Sequence, residues 1–403
     1  MRYLLIPENN SLSHVAKCLA IREVLLGKGH DVLIAVNRKH SLFLNRNGVN
    51  CHILPDIQEI DGAAFPTTLW FKYPERFYEC VQEELALLKN YRPDRILGIF
   101  RFTSKASARI AGIPFDSLVC GCMMPDSAEG LGFAAGETGR DLQKENLKGF
   151  FQYAAAKTSM ALTSLGLDKI TDIRCMLKGD RTYLWDFPEF FPIRLDKSTT
   201  HVGPVVNSQW PPGSMGIEWA DNGRNPLAVI TFGTCTISLP VAERITNLLL
   251  NMGYDVLIAA GGQSGMSSIV HRQSRVMFYN FAPLHKILPH TSLLICHGGQ
   301  MTVFEAIGHQ IPVVVMPFQP EQAHNGVCLE KLGCGCRLIQ PQPFRQNPGV
   351  YTEALNRMSD TEIKSKISLL TGAHQTRERL AAVKQLLEGY NGAETVARLL
   401  EES

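Results

Sequence analysis

No apolar run in this 403-residue chain approaches the ~18–20 residues that a membrane-crossing helix needs. The longest strong stretch, Ile311 to Phe318, is interrupted by Pro312 and Pro317. Met1-Arg-Tyr-Leu-Leu-Ile-Pro7 is too short for a signal peptide and runs straight into Glu8-Asn9-Asn10. Charge of one sign is missing too: 40 basic residues face 38 acidic ones, a net +2 without blocks, so nothing draws the chain toward nucleic acid or acidic lipid. Two-residue spacers between cysteines are absent. The 11 cysteines are odd in number and scattered, which fits a reducing compartment better than a disulfide framework. Cys120-Gly-Cys122 and Cys334-Gly-Cys336 lack the spacing and nearby histidines of a zinc site and read as buried thiols. The expectation is a cytoplasmic protein, monomeric or homodimeric, with small partners.

At 45% hydrophobic, the chain can fill two cores, since single cores rarely grow past ~250–300 residues. Short β-rich runs alternate with amphipathic ones. Tyr3–Ile6, Asp31–Val36, Val49–Leu54, Arg95–Phe100 and Pro114–Val119 read as strands, with helices over 13–27, from Pro74 onward and near 103–111. Breakers concentrate between Gly203 and Pro226, which reads as a linker. A second series of strands follows: Leu227–Phe232, Asp255–Ala259, Val276–Tyr279, Ser292–Cys296 and Val313–Met316. This alternation requires parallel sheets with right-handed crossovers, and ligands then sit beyond the carboxyl ends of the strands. The expected organisation is an N-terminal Rossmann-like domain (1–205), a linker (206–226), a second Rossmann-like domain (227–380), and C-terminal helices (381–403) packing back on the first.

The chemistry concentrates after the strand ending at Cys296. His297-Gly-Gly299-Gln300-Met301-Thr302 turns from strand into helix. Glycines admit a ligand close to the backbone, and the unpaired amides and dipole of a helix start attract phosphate. Glu305 lies on the same helix face as Thr302, where its carboxylate would accept hydrogen bonds from vicinal ribose hydroxyls. Alone, the pattern fits a plain glycine turn with a surface glutamate equally well. The next strand ends in Pro317-Phe-Gln-Pro-Glu321-Gln322-Ala-His-Asn325, an acid and an amide suited to hexose hydroxyls. Gly261-Gly262-Gln-Ser-Gly265 is a further glycine turn, read mainly as a connecting loop.

Phe232-Gly233-Thr234, Phe281-Ala-Pro283, His297-Gly-Gly299 with Thr302 and Glu305, Pro312, Pro317, and Glu321-Gln322 with Asn325 occur in an order that resembles family 1 glycosyltransferases. This is the UDP-glycosyltransferase superfamily of the GT-B fold, and its bacterial natural-product and macrolide members are nearest in style. Phe187 to Pro192 and Val202-Gly-Pro204 extend the resemblance into the first half. It implies two α/β domains with parallel sheets facing a cleft and a UDP- or TDP-sugar as the donor substrate. Phe281 would stack on the nucleobase and the Ala282 backbone pair with its edge. Gly233 and Thr234 would flank the diphosphate, with His297, Gly299 and Thr302 on the phosphates and Gln300 and Met301 in the same donor-binding turn. Glu305 would hold the ribose, and Glu321 with Gln322 the sugar. Met301 stands where bacterial relatives usually have glycine.

No Asp-x-Asp pair occurs, so no metal or other cofactor is expected; helix amides and His297 would stabilise the departing nucleotide. The resemblance makes His14, after the first strand, the base that deprotonates a small, apolar acceptor for inverting attack; otherwise it is a capping or surface histidine. Where relatives carry an aspartate that orients this histidine, Ile99 or Phe100 stands here, with Asp116 or Asp126 as substitutes from nearby loops. The acceptor wall is expected from 65–80 and 123–150. Two other functions share these features: a nucleotide-sugar 2-epimerase of the same fold and a non-catalytic auxiliary protein.

Overall fold

The computed structural model describes residues 1–9, 11–46, 48–55, 57, 59–60, 63–64, 70–125, 127, 130–206, 225–233, 239–261, 275–280, 282–339 and 350–402. The chain divides into an N-terminal unit, Met1–Glu129 with Glu145–Gln209 and Tyr390–Ser403, and a C-terminal unit, Gly130–Lys144 with Trp210–Gly389.

The N-terminal unit begins β1 (Arg2–Pro7), α1 (Leu12–Gly27), β2 (Asp31–Val36), α2 (Arg38–Arg46) and β3 (Cys51–Ile53). A two-stranded antiparallel ribbon, β4 (Glu59–Ile60) and β5 (Ala63–Ala64), precedes α3 (Pro74–Tyr91), β6 (Arg95–Ile99), α4 (Ser104–Ala111) and β7 (Phe115–Val119). Then come α5 (Arg140–Ser164), β8 (Arg181–Leu184) and β9 (Thr199–His201). The seven strands run β3-β2-β1-β6-β7-β8-β9, all parallel. Ser11 starts α1 by accepting the amide of Ser13, and Pro74 opens α3, where its missing N–H costs nothing.

The C-terminal unit contains β10 (Leu227–Thr231), α6 (Leu239–Asn251), β11 (Asp255–Ala259), β12 (Val276–Tyr279), α7 (Leu284–Ile287), β13 (Thr291–Cys296) and α8 (Gln300–Gly308). It continues with β14 (Val313–Val315), α9 (Pro320–Leu332), β15 (Gly335–Arg337), α10 (Val350–Arg357), α11 (Asp360–Gly372) and α12 (His374–Glu388). Its six parallel strands run β12-β11-β10-β13-β14-β15. Leu227–Thr231 is buried along its whole length, as a central parallel strand requires, and Ile230, Ile258, Leu293, Ile295 and Val314 share one core cluster. Ala259, Thr231, Cys296 and Val315 are in register, so the turns that leave β11, β10, β13 and β14 emerge side by side at one sheet edge.

Helix α13 (Gly392–Glu401) belongs to the N-terminal unit, while residues 381–389 stay with the C-terminal one. Its end is fixed there by Glu401, which pairs with Lys28 at 2.6 Å and His30 at 2.8 Å. Residues 130–144, inside the stretch expected to be N-terminal, are gathered with the C-terminal unit because buried Arg337 grips them. It donates to Gly132 O at 2.8 Å and to the Glu137 carboxylate at 2.7 and 3.0 Å, and Glu330 accepts from its other face.

Candidate active site

The edge of the C-terminal sheet brings together four of the expected elements. Gly233 leaves β10 with φ +56°, a left-handed conformation that favours glycine. A Cβ there would stand 3.2 Å from the His297 ring, and one on Gly299 would overlap the ring at 2.4 Å. The imidazole therefore fits between two glycines. A Cβ on Gly261, after β11, would fall 1.7 Å from the Gly233 carbonyl, so this glycine is required for two turns to touch. Gly298, at φ +87°, lies against Val315 and the Gln322 backbone.

Helix α8 starts at Gly299 without a capping side chain, so the positive end of its dipole is not neutralised by an N-cap group. Met301 and Thr302 are half-buried in this first turn, and Gln300 is buried. Burial lowers His297 to about 4, with the Thr231 backbone opposing the shift, so the ring is neutral and offers an N–H instead of a cation. Glu305, one turn along α8, is raised to about 7 by desolvation alone. Among the described residues no ion pair or hydrogen bond satisfies that carboxylate.

The loop after β14 is tied to this turn by Asn325, whose Nδ2 donates to Gly298 O at 2.8 Å and to Glu321 Oε1 at 3.2 Å. Glu321 is half-buried in the first turn of α9. Gln322 is buried, and its side-chain carbonyl accepts the Phe318 amide at 2.9 Å, capping the loop where Gln319 provides no side-chain cap. The acid and the amide are therefore not equivalent groups side by side. Ala282 is half-buried beyond β12. Thr234, Phe281 and residues 262–265 lie outside the described residues. The tie made by Asn325 was not foreseen; its i+4 spacing from Glu321 was the available signal.

The N-terminal unit holds His14 in the first turns of α1, 9% exposed. Its Nδ1 lies 3.0 Å from the Glu8 carbonyl, which can only accept, so Nδ1 carries the proton and Nε2 is left as the proton acceptor. The ring stacks on Phe100 at 5.4 Å and 18° and tilts against Trp185 at 5.7 Å. Lys17, one turn on, covers the Trp185 face at 4.6 Å. Burial, reinforced by Lys17, lowers His14 to about 3.

Asp116 does not orient this histidine. It is fully buried and taken up by Arg95 at 2.9 and 3.0 Å, Arg181 at 2.7 Å and Tyr183 at 3.0 Å, so it holds β6, β7 and β8 together. Asp126 is outside the described residues. Ile99 ends β6, and the position expected for an orienting carboxylate is filled by the Phe100 ring. Phe100 has φ +55°, a conformation costly for a bulky residue and characteristic of functional sites.

Among the described residues no cluster of three or more His, Cys, Asp or Glu can hold a metal ion, and no helix is long and apolar enough to cross a membrane. Cys120 and Cys122 are buried, as is Cys334, while Cys336 is half-buried.

Comparison with known proteins agrees with this geometry. Residues 241–343, a stretch that includes the α8 turn, match the glycosyltransferase family 28 C-terminal domain. A PGL/p-HBAD biosynthesis rhamnosyltransferase of Mycobacterium tuberculosis (strain ATCC 25177 / H37Ra) is 22% identical over 353 residues, 84% of this chain and 76% of that protein. The crystal structure of the glycotransferase of kitacinnamycin superposes with a TM-score of 0.76 at 17% identity, covering 100% of this chain and 98% of the other. A Streptomyces sp. SF2575 glycosyltransferase complexed with thymidine diphosphate gives 0.64 at 17% identity, covering both chains fully. Two parallel-sheet units, a family match over the α8 turn and relatives of this kind converge: the chain has the GT-B fold and is similar to glycosyltransferases that share it.

Proposed function

We propose that the chain transfers a hexosyl group from a UDP- or TDP-sugar to a hydroxyl of a small, largely apolar acceptor, by a single displacement that inverts the anomeric carbon and requires no metal. The observation that carries the donor half is the start of α8 without a side-chain cap, with neutral His297 packed between Gly233 and Gly299 and Glu305, unpartnered among the described residues, one turn away. Amides and an imidazole N–H suit a diphosphate, whose developing charge on departure they would stabilise without reorganisation. Glu305 would accept from the two ribose hydroxyls, and Glu321, held by Asn325, from the sugar.

In the reaction His14 Nε2 takes the acceptor's hydroxyl proton as the oxygen lone pair attacks the anomeric carbon. The bond from that carbon to the phosphate oxygen breaks, and its electrons leave with the nucleoside diphosphate. The thymidine diphosphate complex of the Streptomyces sp. SF2575 enzyme supports a nucleotide-bound donor. Thermal denaturation with UDP-glucose and TDP-rhamnose tests the reading. A donor at about 100 times its Kd adds ~2.7 kcal/mol of stability, and the absence of any shift with either nucleotide sugar or its free diphosphate would count against it.

A further inference from the structure

In a histidine base backed by a carboxylate, the carboxylate stabilises the imidazolium as it forms. Among the described residues no carboxylate backs His14 in this way. Its Nδ1 is bonded to a neutral peptide carbonyl, and among the described residues the charged and titratable groups acting on it are Lys17 and His40, which oppose a positive charge on the ring. The carbonyl itself is firmly held. The Glu8 amide donates to Ile99 O at 2.8 Å, and the Glu8 carboxylate, 1% exposed, lies 4.0 Å from the buried Arg101 guanidinium. Arg101 is fixed in turn by Glu84 at 3.0 Å. His14 is thus fixed in direction and tautomer but poorly equipped to carry a proton.

Its surroundings are aromatic. From the His14–Phe100 stack an edge-to-face series continues through Phe102 at 5.7 Å, Phe71 at 6.0 Å and Phe150 at 5.4 Å. Phe71 and Phe150 come from the two stretches expected to wall the acceptor, and Phe100 and Phe150 are half-buried. Edge-to-face contact is one of the two arrangements that aromatic rings prefer, so this wall suits an aromatic acceptor.

We infer that this site is built for an acceptor whose hydroxyl is already acidic, a phenol, and that Phe100 is the positioning residue that keeps His14 aligned for it. The inference rests on the transferase reading above. A phenolic hydroxyl ionises near ~10, whereas an aliphatic one is close to water's ~15.7. With the imidazole lowered by burial to about 3, transfer from a phenol is several powers of ten less uphill. The balance is unchanged: the phenol proton goes to Nε2, the phenolate oxygen bonds to the anomeric carbon, and the diphosphate leaves with the bonding pair.

The test uses the full chain with UDP-glucose and TDP-rhamnose and two acceptors of the same skeleton, para-cresol and its ring-saturated alcohol. The expected result is a kcat/KM at least ~100-fold higher on the phenol. Equal transfer to both overturns the inference but leaves the transferase reading intact; transfer to neither acceptor with either donor counts against both. A variant, Phe100→Asp, tests the positioning role, since aspartate tolerates positive φ better than phenylalanine. It is expected to narrow the selectivity at least ~10-fold through kcat on the alcohol, with KM little changed. An unchanged ratio in a folded variant refutes the positioning role.

Discussion

Replacing Glu305 by glutamine should stabilise the free protein while weakening its hold on a nucleotide sugar. In the folded chain the carboxyl is raised to about 7 by desolvation, against an ordinary value of 4.5. Because the folded form keeps its proton longer than the unfolded chain does, stability falls as pH rises from about 4.5 to about 7, and is level above that range. Two and a half pKa units correspond to ~3 kcal/mol, an upper bound because Glu305 keeps some solvent contact. Gln removes the buried charge at almost constant shape. For a unit of this size each kcal/mol moves the melting temperature by ~2–4 °C, so the variant should melt up to ~10 °C higher at pH 8. Near pH 4.5, where both side chains are neutral in the fold, the two should coincide. Donor affinity should fall ~10–100-fold, because charge-assisted hydrogen bonds to the hydroxyls are worth ~1.5–3 kcal/mol. Scanning calorimetry at both pH values with and without UDP-glucose or TDP-rhamnose reads all three. A variant equally or less stable at pH 8, with unchanged donor affinity, would refute the reasoning.

Other substitutions separate the two halves of the chemistry. Gly299→Ala places a methyl group against the His297 ring, where a Cβ would stand at 2.4 Å; the expected outcome in calorimetry is loss of most donor-induced stabilisation. His14→Ala should lower kcat ~10²–10⁴-fold while leaving donor-induced stabilisation intact, because general base catalysis contributes that much; unchanged turnover would remove His14 from the mechanism. Arg337→Ala strands the Glu137 and Glu330 carboxylates that now share its guanidinium. It should cost ~3–5 kcal/mol in denaturant unfolding of the C-terminal unit.

Much of this was legible in the sequence because parallel strands announce themselves. Asp31–Val36, Asp255–Ala259 and Val276–Tyr279 appear with the expected bounds, as apolar runs ended by turn residues. Strands β8, β9 and β15 were not anticipated: Gly335-Cys-Arg337 is three residues long and carries a glycine and a charge, so only its neighbour β14 makes it a strand. The glycine turn at His297 was readable from residue types, since glycine and a helix start have few other uses together. Side-chain assignments across distance were not. Arg337 reaches Glu137 from 200 positions away, which shifts residues 130–144 into the C-terminal unit. The partner of His14 was invisible for a different reason: it is a main-chain carbonyl, and every residue has one. The charge of Asp116, one of the two carboxylates the sequence offers for that role, is consumed by Arg95 and Arg181.

The central claim is most directly tested by incubating the full chain with a nucleotide sugar and para-cresol and quantifying nucleoside diphosphate and glycoside by chromatography. The account predicts that the two products appear in equal amounts, with the anomeric carbon inverted. A donor returned as its epimer, or bound without release of either product, would contradict it.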